Sequence, residues 1–132
     1  MSYKILVVDD SAMSRRSMKR VLESGGYAVI EAEDGISAIE TYHLERPDLV
    51  MLDMLMHGMY GLEVLSKLRE IDNNARVVIV TADIQNSSKA IAFEGGAAAF
   101  VTKPFAADIV LTTVAEILVE GGQANGTDSP RD

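Results

Sequence analysis

Several apolar runs of the chain end on residues that can bind ions or move phosphoryl groups. Ile5-Leu6-Val7-Val8 stops at Asp9-Asp10, Leu49-Val50-Met51-Leu52 at Asp53, Val77-Val78-Ile79-Val80 at Thr81, and Phe100-Val101 at Thr102-Lys103-Pro104. If these runs are parallel strands, the polar residues share one rim, where open parallel sheets place their ligands. Three carboxylates in so small a volume repel one another unless protons or a cation neutralise them. The donors are hard oxygens and the sequence contains no cysteine, so the ion that suits them is Mg2+ or Mn2+, which leaves room for phosphate oxygens. A carboxylate can itself attack phosphorus to give an aspartyl phosphate. Catalysis of that step is mostly positioning and charge stabilisation, roles open to the Lys103 ammonium and the Thr81 hydroxyl.

The first, third and fourth runs are continuous and β-branched rather than alternating, the pattern of parallel strands buried on both faces. Tyr27-Ala28-Val29-Ile30 passes quickly into Glu31-Ala32-Glu33, which suits an edge strand. Leu62, Leu65, Leu68 and Ile71, and likewise Val110, Val114, Ile117 and Leu118, fall on single helical stripes between or after the strands. Ser24-Gly25-Gly26, Asp72-Asn73-Asn74 and Glu94-Gly95-Gly96 supply the helix stops and turns. Alternating strands and helices with short connections predict a (βα)5 α/β fold, a three-layer sandwich with right-handed crossovers. A parallel sheet in the order 2-1-3-4-5 would put strand 2 at the edge and bring Asp9, Asp10, Asp53, Thr81 and Lys103 together.

The chain has 132 residues, enough for one domain with a real core, and its 48% hydrophobic and 24% charged content argues against a disordered, fibrous or membrane class. Its 20 Asp and Glu against 12 Lys and Arg give a net charge of -8, which speaks against direct binding of nucleic acid. No apolar run approaches the ~18 residues of a membrane-spanning helix, and the start of the chain lacks the pattern of a signal peptide, so a cytoplasmic protein is expected. From Gly121 the composition turns to Gly-Gly-Gln-Ala-Asn-Gly-Thr-Asp-Ser-Pro-Arg-Asp, with little to bury. The expected organisation is one domain over 1–120 and a disordered tail or the start of a linker over 121–132.

Taken singly, each position also has an ordinary reading. Asp9 and Asp10 could cap the helix that begins near Ser11, Asp53 could be a loop acid and Thr81 a strand residue. Arg15, Arg16, Lys19 and Arg20 could form a solvated face or, on a helix beside the acidic site, dock the phosphodonor. His43 and His57 lie outside any metal-ligand spacing, and Met51, Met54, Met56 and Met59 suit core and loop filling. The constellation carries the inference.

Val7-Val8-Asp9-Asp10, Pro47-Asp48-Leu49-Val50-Met51-Leu52-Asp53, Gly61, Val80-Thr81-Ala82 and Lys103-Pro104-Phe105, in this order and spacing, resemble the receiver domain of two-component response regulators, particularly single-domain CheY-type proteins. The resemblance covers about residues 3–120 and implies a flavodoxin-like fold. It implies that Asp53 accepts a phosphoryl group from a histidine kinase or histidine phosphotransfer protein. It further implies that Asp10 and the Leu55 backbone carbonyl hold Mg2+ or Mn2+ with Asp53, that Asp9 acts mainly through water, and that Thr81 and Lys103 contact the phosphoryl group. A cis Lys103-Pro104 bond, and a small Ala82 that leaves the acyl phosphate accessible, belong to the same pattern. So does a switch in which Thr81 moves and the aromatic Phe100 turns inward, altering the helix 4, strand 5, helix 5 face for a downstream protein target.

Four positions depart from the family: Phe100 lacks the hydroxyl of the more usual Tyr, His57 replaces a usual proline, Leu55 is apolar, and Asp83 is acidic. The expected partners are protein rather than nucleic acid or membrane, with a monomer or a phosphorylation-dependent dimer. Competing readings are a pseudo-receiver that signals without phosphorylation, a flavodoxin-like mononucleotide binder and a metal-dependent phosphohydrolase. The intact acidic set opposes the first and the acidic Asp9-Asp10-Ser11 loop the second; the third would need a substrate-specificity cap that the chain does not show.

Overall fold

The structure, a computed structural model, describes residues 3–56, 58–82 and 86–126. Strand β1 (Lys4–Val8) leads to helix α1 (Ala12–Ser24), β2 (Ala28–Ala32) to α2 (Gly35–Glu45), and β3 (Leu49–Asp53) to α3 (Gly61–Ile71). Then β4 (Val77–Thr81) leads to α4 (Asn86–Glu94) and β5 (Ala99–Thr102) to α5 (Ala107–Gly126). The strands form one parallel sheet in the order β2-β1-β3-β4-β5, as expected, with the flavodoxin-like arrangement of helices around it.

Because side chains alternate along a strand, each β-strand feeds two half-cores. Leu6, Val8, Val50, Leu52, Val77 and Ile79 face α2, α3 and α4, where they meet Tyr42, Val64, Leu65 and Leu68. Ile5, Val7, Leu49, Met51, Val78 and Val80 face α1 and α5, against Met18, Leu22, Val110, Val114 and Leu118. Burial on both faces explains why these strands read as unbroken apolar runs. The helical stripes fall as expected, with Leu62, Ile71 and Ile117 at the margins of the two half-cores.

The three helix stops also hold. Gly25 caps α1 and Gly26 follows at φ +92°, a conformation that suits glycine. Asp72 caps α3, its N–H donating to the Leu68 carbonyl, and α4 ends at Glu94 before the Gly95-Gly96 turn.

Two boundaries differ from the sequence reading. Strand β2 takes in Glu31 and Ala32, because the β1 register continues through Val7 opposite Glu31 and Val8 opposite Ala32. Helix α5 continues through Gly126, past the change of composition at Gly121 where a disordered tail or linker was expected. Gln123 and Ala124 are good helix formers that extend an existing helix without a new nucleation step.

The register sets the rim. Val8 pairs with Leu52, Asp53 with Val80 and Thr81 with Thr102, so the carboxyl ends of the four strands carrying polar residues finish side by side. The β3–α3 loop returns tightly beneath this rim, with the Gly61 N–H donating to the Met54 carbonyl at 2.8 Å. A Cβ on Gly61 would lie 2.5 Å from the Asp53 carbonyl oxygen and 2.6 Å from the Met54 Cα, both backbone atoms that cannot swing away. Gly61→Ala is therefore expected to lower stability by about 2 kcal/mol, read from urea unfolding, by forcing the Asp53 loop off its path.

Candidate functional site

Apart from Tyr42, the buried polar or charged residues among those described are Asp9, Asp53 and Thr81, and all three stand at the rim. One carboxylate oxygen each from Asp9, Asp10 and Asp53 lies within 4.8 Å of the others. Asp9 is fixed from several sides. Its N–H donates to the Ala32 carbonyl, its Oδ1 accepts from the Ser11 N–H at 2.9 Å, and its Oδ2 accepts from Lys103 Nζ at 3.0 Å. Asp53 Oδ1 accepts from the Leu55 N–H at 3.3 Å, and its Oδ2 lies 3.5 Å from the same Lys103 Nζ. The backbone of Lys103 is itself held, its N–H donating to the Thr81 carbonyl at 2.8 Å, ahead of a cis bond to Pro104.

The helix cap proposed for Asp9 and Asp10 falls instead to Ser11, whose side chain accepts from the Ser14 N–H. Asp9 and Asp10 are thus left to the rim.

One lysine facing two buried carboxylates leaves the site short of positive charge. Burial drives the Asp53 carboxyl up to about 6, with the neighbouring Asp9 charge adding to the rise and Lys103 opposing it. Burial also works against the Asp9 carboxylate, but hydrogen bonds from Ser14, Ser11 and Lys103 more than offset it and hold Asp9 below the usual carboxylate range. Converging hard oxygens with uncompensated charge fit a small divalent cation such as Mg2+.

Thr81 ends β4, completely buried, and strand alternation places it on the same side of the sheet as Phe100 of β5. Phe100 is half-buried against the half-core of α2, α3 and α4. Ala82 is exposed, and Leu55 turns its side chain outward. Beside the rim lies a groove of about 500 Å3, lined in part by Met13, Ser14, Ala82, Lys103 and Phe105. His57 and Asp83 lie outside the described residues. His43 is exposed on α2.

The four basic residues of α1 divide into two kinds. Arg16 and Arg20 are exposed. Arg15 Nε pairs with Glu31 Oε1 at 2.9 Å, and Lys19 Nζ lies 3.4 Å from Glu31 Oε2. Glu31 was missed as a site neighbour in the sequence, where its charge marked only an edge strand; its register opposite Val7 was the missing information.

Residues 5–115 match the family described as response regulator receiver domain. The chain belongs to that family, the phosphorelay signalling class defined by this fold and acidic rim. Among relatives, it is 40% identical over 119 residues to the chemotaxis protein CheY of Bacillus subtilis, covering 89% of this chain and 99% of that one. It is 35% identical over 130 residues to the response regulator MprA of Mycobacterium sp. (strain KMS), covering 98% of this chain but only 56% of MprA. Among solved structures it resembles the CheX-CheY-BeF3-Mg2+ complex of Borrelia burgdorferi, with 32% identity and a TM-score of 0.83 over 87% of this chain and 88% of that one. The chain is thus a response regulator receiver of CheY-like type, from a family of two-component signalling proteins that bind Mg2+ at an acidic pocket and interact with kinases, phosphotransferases and downstream targets.

The raised Asp53 pKa has a consequence for stability. Asp53 binds its proton more tightly in the fold than in the unfolded chain, so its contribution is fully present below the ordinary value of 3.8 and is lost as pH rises through about 6. Asp53→Asn removes the buried charge. In EDTA at pH 7.5 the variant is expected to be more stable than the wild type by about 1–2 kcal/mol, with the gap narrowing as pH falls through about 6 and closing only below the ordinary value of 3.8, as measured by thermal unfolding across pH.

Proposed function

We propose that the protein is a phosphoacceptor receiver in which Asp53 takes a phosphoryl group from a histidine kinase or histidine phosphotransfer protein in a Mg2+-dependent reaction. The observation that carries this reading is the joint placement of Asp9, Asp10, Asp53 and Lys103, with Asp53 a buried carboxylate at the end of β3. An Asp53 oxygen forms the bond to phosphorus as the bond from phosphorus to the donor nitrogen breaks, and the imidazole departs. Lys103 and Thr81 hold the incoming phosphoryl oxygens. Asp10, Asp53 and the Leu55 carbonyl would hold Mg2+ or Mn2+, with Asp9 acting mainly through water. The bound ion supplies charge neutralisation at the phosphoryl oxygens. The same groups would catalyse loss of the phosphoryl group to water, which makes the protein a self-acting signalling switch rather than an enzyme that turns over a metabolite.

The output is a population shift: Thr81 follows the phosphoryl group, Phe100 turns further inward, and the face formed by α4, β5 and α5 changes for a protein target. Phe100 carries no hydroxyl, so its readout is packing alone. The shared sheet side of Thr81 and Phe100 supports this coupling. The phosphodonor docks on α1 beside the rim, chiefly through Arg16 and Arg20, since Arg15 and Lys19 engage Glu31. The receiver unit is 1–120, with the last turns of α5 running past it to Gly126; it works in the cytoplasm and acts as a monomer or a phosphorylation-dependent dimer. Chemotaxis is one possible pathway; the resemblance to MprA admits others.

Incubation with Mg2+ and acetyl phosphate is expected to give a stoichiometric, acid-stable, alkali-labile phosphoryl adduct by mass spectrometry, absent in Asp53→Asn. No adduct with acetyl phosphate or with a cognate kinase would leave the pseudo-receiver. Continuous turnover of varied phosphate esters would point to a hydrolase. Arg16→Glu with Arg20→Glu is expected to slow phosphotransfer from the protein donor about tenfold while leaving the acetyl phosphate rate unchanged. Equal slowing with both donors would place the effect in the site rather than in docking.

A further inference from the structure

Arg15 has a second contact besides its ion pair. Its guanidinium Nη1 donates to the Asp9 carbonyl at 2.7 Å while Nε donates to Glu31 Oε1 at 2.9 Å. The side chain is largely buried, at 16% exposure. It therefore joins helix α1, the edge strand β2 and the acidic loop after β1. The Asp9 carbonyl stands one residue beyond the last ladder position of β1, where Val8 pairs with Ala32 and Leu52, and Arg15 satisfies it. The peptide it holds joins Asp9 to Asp10, the source of two of the three carboxylates at the rim. From within the site, Ser11 and Lys103 fix the two Asp9 oxygens. Arg15 fixes the backbone from the other side.

We propose that Arg15, anchored by Glu31, is a positioning residue that sets the divalent-cation affinity of the acidic rim by clamping the Asp9-Asp10 peptide; this rests on the Mg2+-dependent reading above. Charge alone predicts the opposite of positioning. A guanidinium near three carboxylates disfavours a cation, so its removal should tighten Mg2+ binding if its charge were what mattered. Glu31, shared with Lys19, offsets part of that charge, and the planar fork serves as a geometric tie between carbonyl and carboxylate. A lysine keeps the charge but cannot reproduce the fork that spans carbonyl and carboxylate. Groups one step removed from metal ligands commonly alter affinity by tenfold or more through ligand orientation.

Mg2+ titration of the full chain by calorimetry, beside urea unfolding in EDTA, tests the clamp on wild type, Arg15→Met, Arg15→Lys and Lys19→Met. The expected result is a Kd about tenfold weaker in Arg15→Met and at least about threefold weaker in Arg15→Lys, with Lys19→Met within twofold of wild type. Arg15→Lys, which keeps the charge and most of the side-chain bulk, decides the matter should Arg15→Met not fold. Unchanged or tighter binding in the Arg15 variants overturns the proposal, as does a fall in unfolding midpoint with no change in Kd, which would make Arg15 merely structural. Equal weakening in Lys19→Met overturns it in favour of long-range charge. A wild type that binds no Mg2+ overturns the underlying metal-site reading as well, whereas tight binding in both wild type and Arg15 variants defeats the clamp alone.

Discussion

Two buried carboxylates, Asp9 and Asp53, share one ammonium, and the rim is arranged around that deficit of positive charge. Burying an ion is costly unless partners compensate it. Lys103 reaches both acids, at 3.0 Å and 3.5 Å, and backbone N–H groups of Ser11 and Leu55 take up further oxygens. The compensation is uneven. Asp9, with more donors, stays below the usual carboxylate range, while Asp53 is driven upward. The carboxylate left least satisfied is the one at the end of the central strand β3, next to the loop that Gly61 draws close. A polar cluster of this kind persists because the two half-cores beneath it supply ample burial.

Strand alternation divides the labour of the sheet. Asp9 and Asp53 continue the α1 and α5 side set by Ile5, Val7, Leu49 and Met51, whereas Thr81 and Phe100 continue the α4 side with Val77 and Ile79. The carboxylates and the proposed switch residues thus approach the carboxyl rim from opposite faces of one sheet. Backbone ties their strands together there: Asp53 pairs with Val80, and the Lys103 N–H donates to the Thr81 carbonyl. The ends of β3, β4 and β5 are therefore tied to one another at the rim through main chain as well as through Lys103.

The carboxyl-end residues were legible because a parallel sheet buried on both faces leaves its chemistry nowhere but the strand ends, and apolar runs broken by Asp9-Asp10, Asp53 and Thr81 announce where those ends are. The strand order was legible through the weakly apolar, charged second strand, although the family resemblance contributed to it. Contacts across elements were not. Arg15 and Glu31 are separated by sixteen positions, and a basic helix face reads the same whether it is solvated or paired. The length of α5 escaped for another reason: glycines at 121 and 122 weaken a helix without ending it when twenty residues propagate together. The close approach at Gly61 left no trace beyond the glycine itself.

The acidity of the chain acquires structure from these pairings. A net charge of -8 spread evenly would only keep the protein soluble. Here Glu31 pairs with both Arg15 and Lys19, the two α1 cations drawn toward the edge strand, and offsets one of their two positive charges beside the acidic rim. Arg16 and Arg20 remain exposed, outside those pairings. The same helix thus ties Arg15 to the Asp9-Asp10 loop and leaves Arg16 and Arg20 as exposed positive charge, because Glu31 on β2 draws Arg15 and Lys19 to the sheet side.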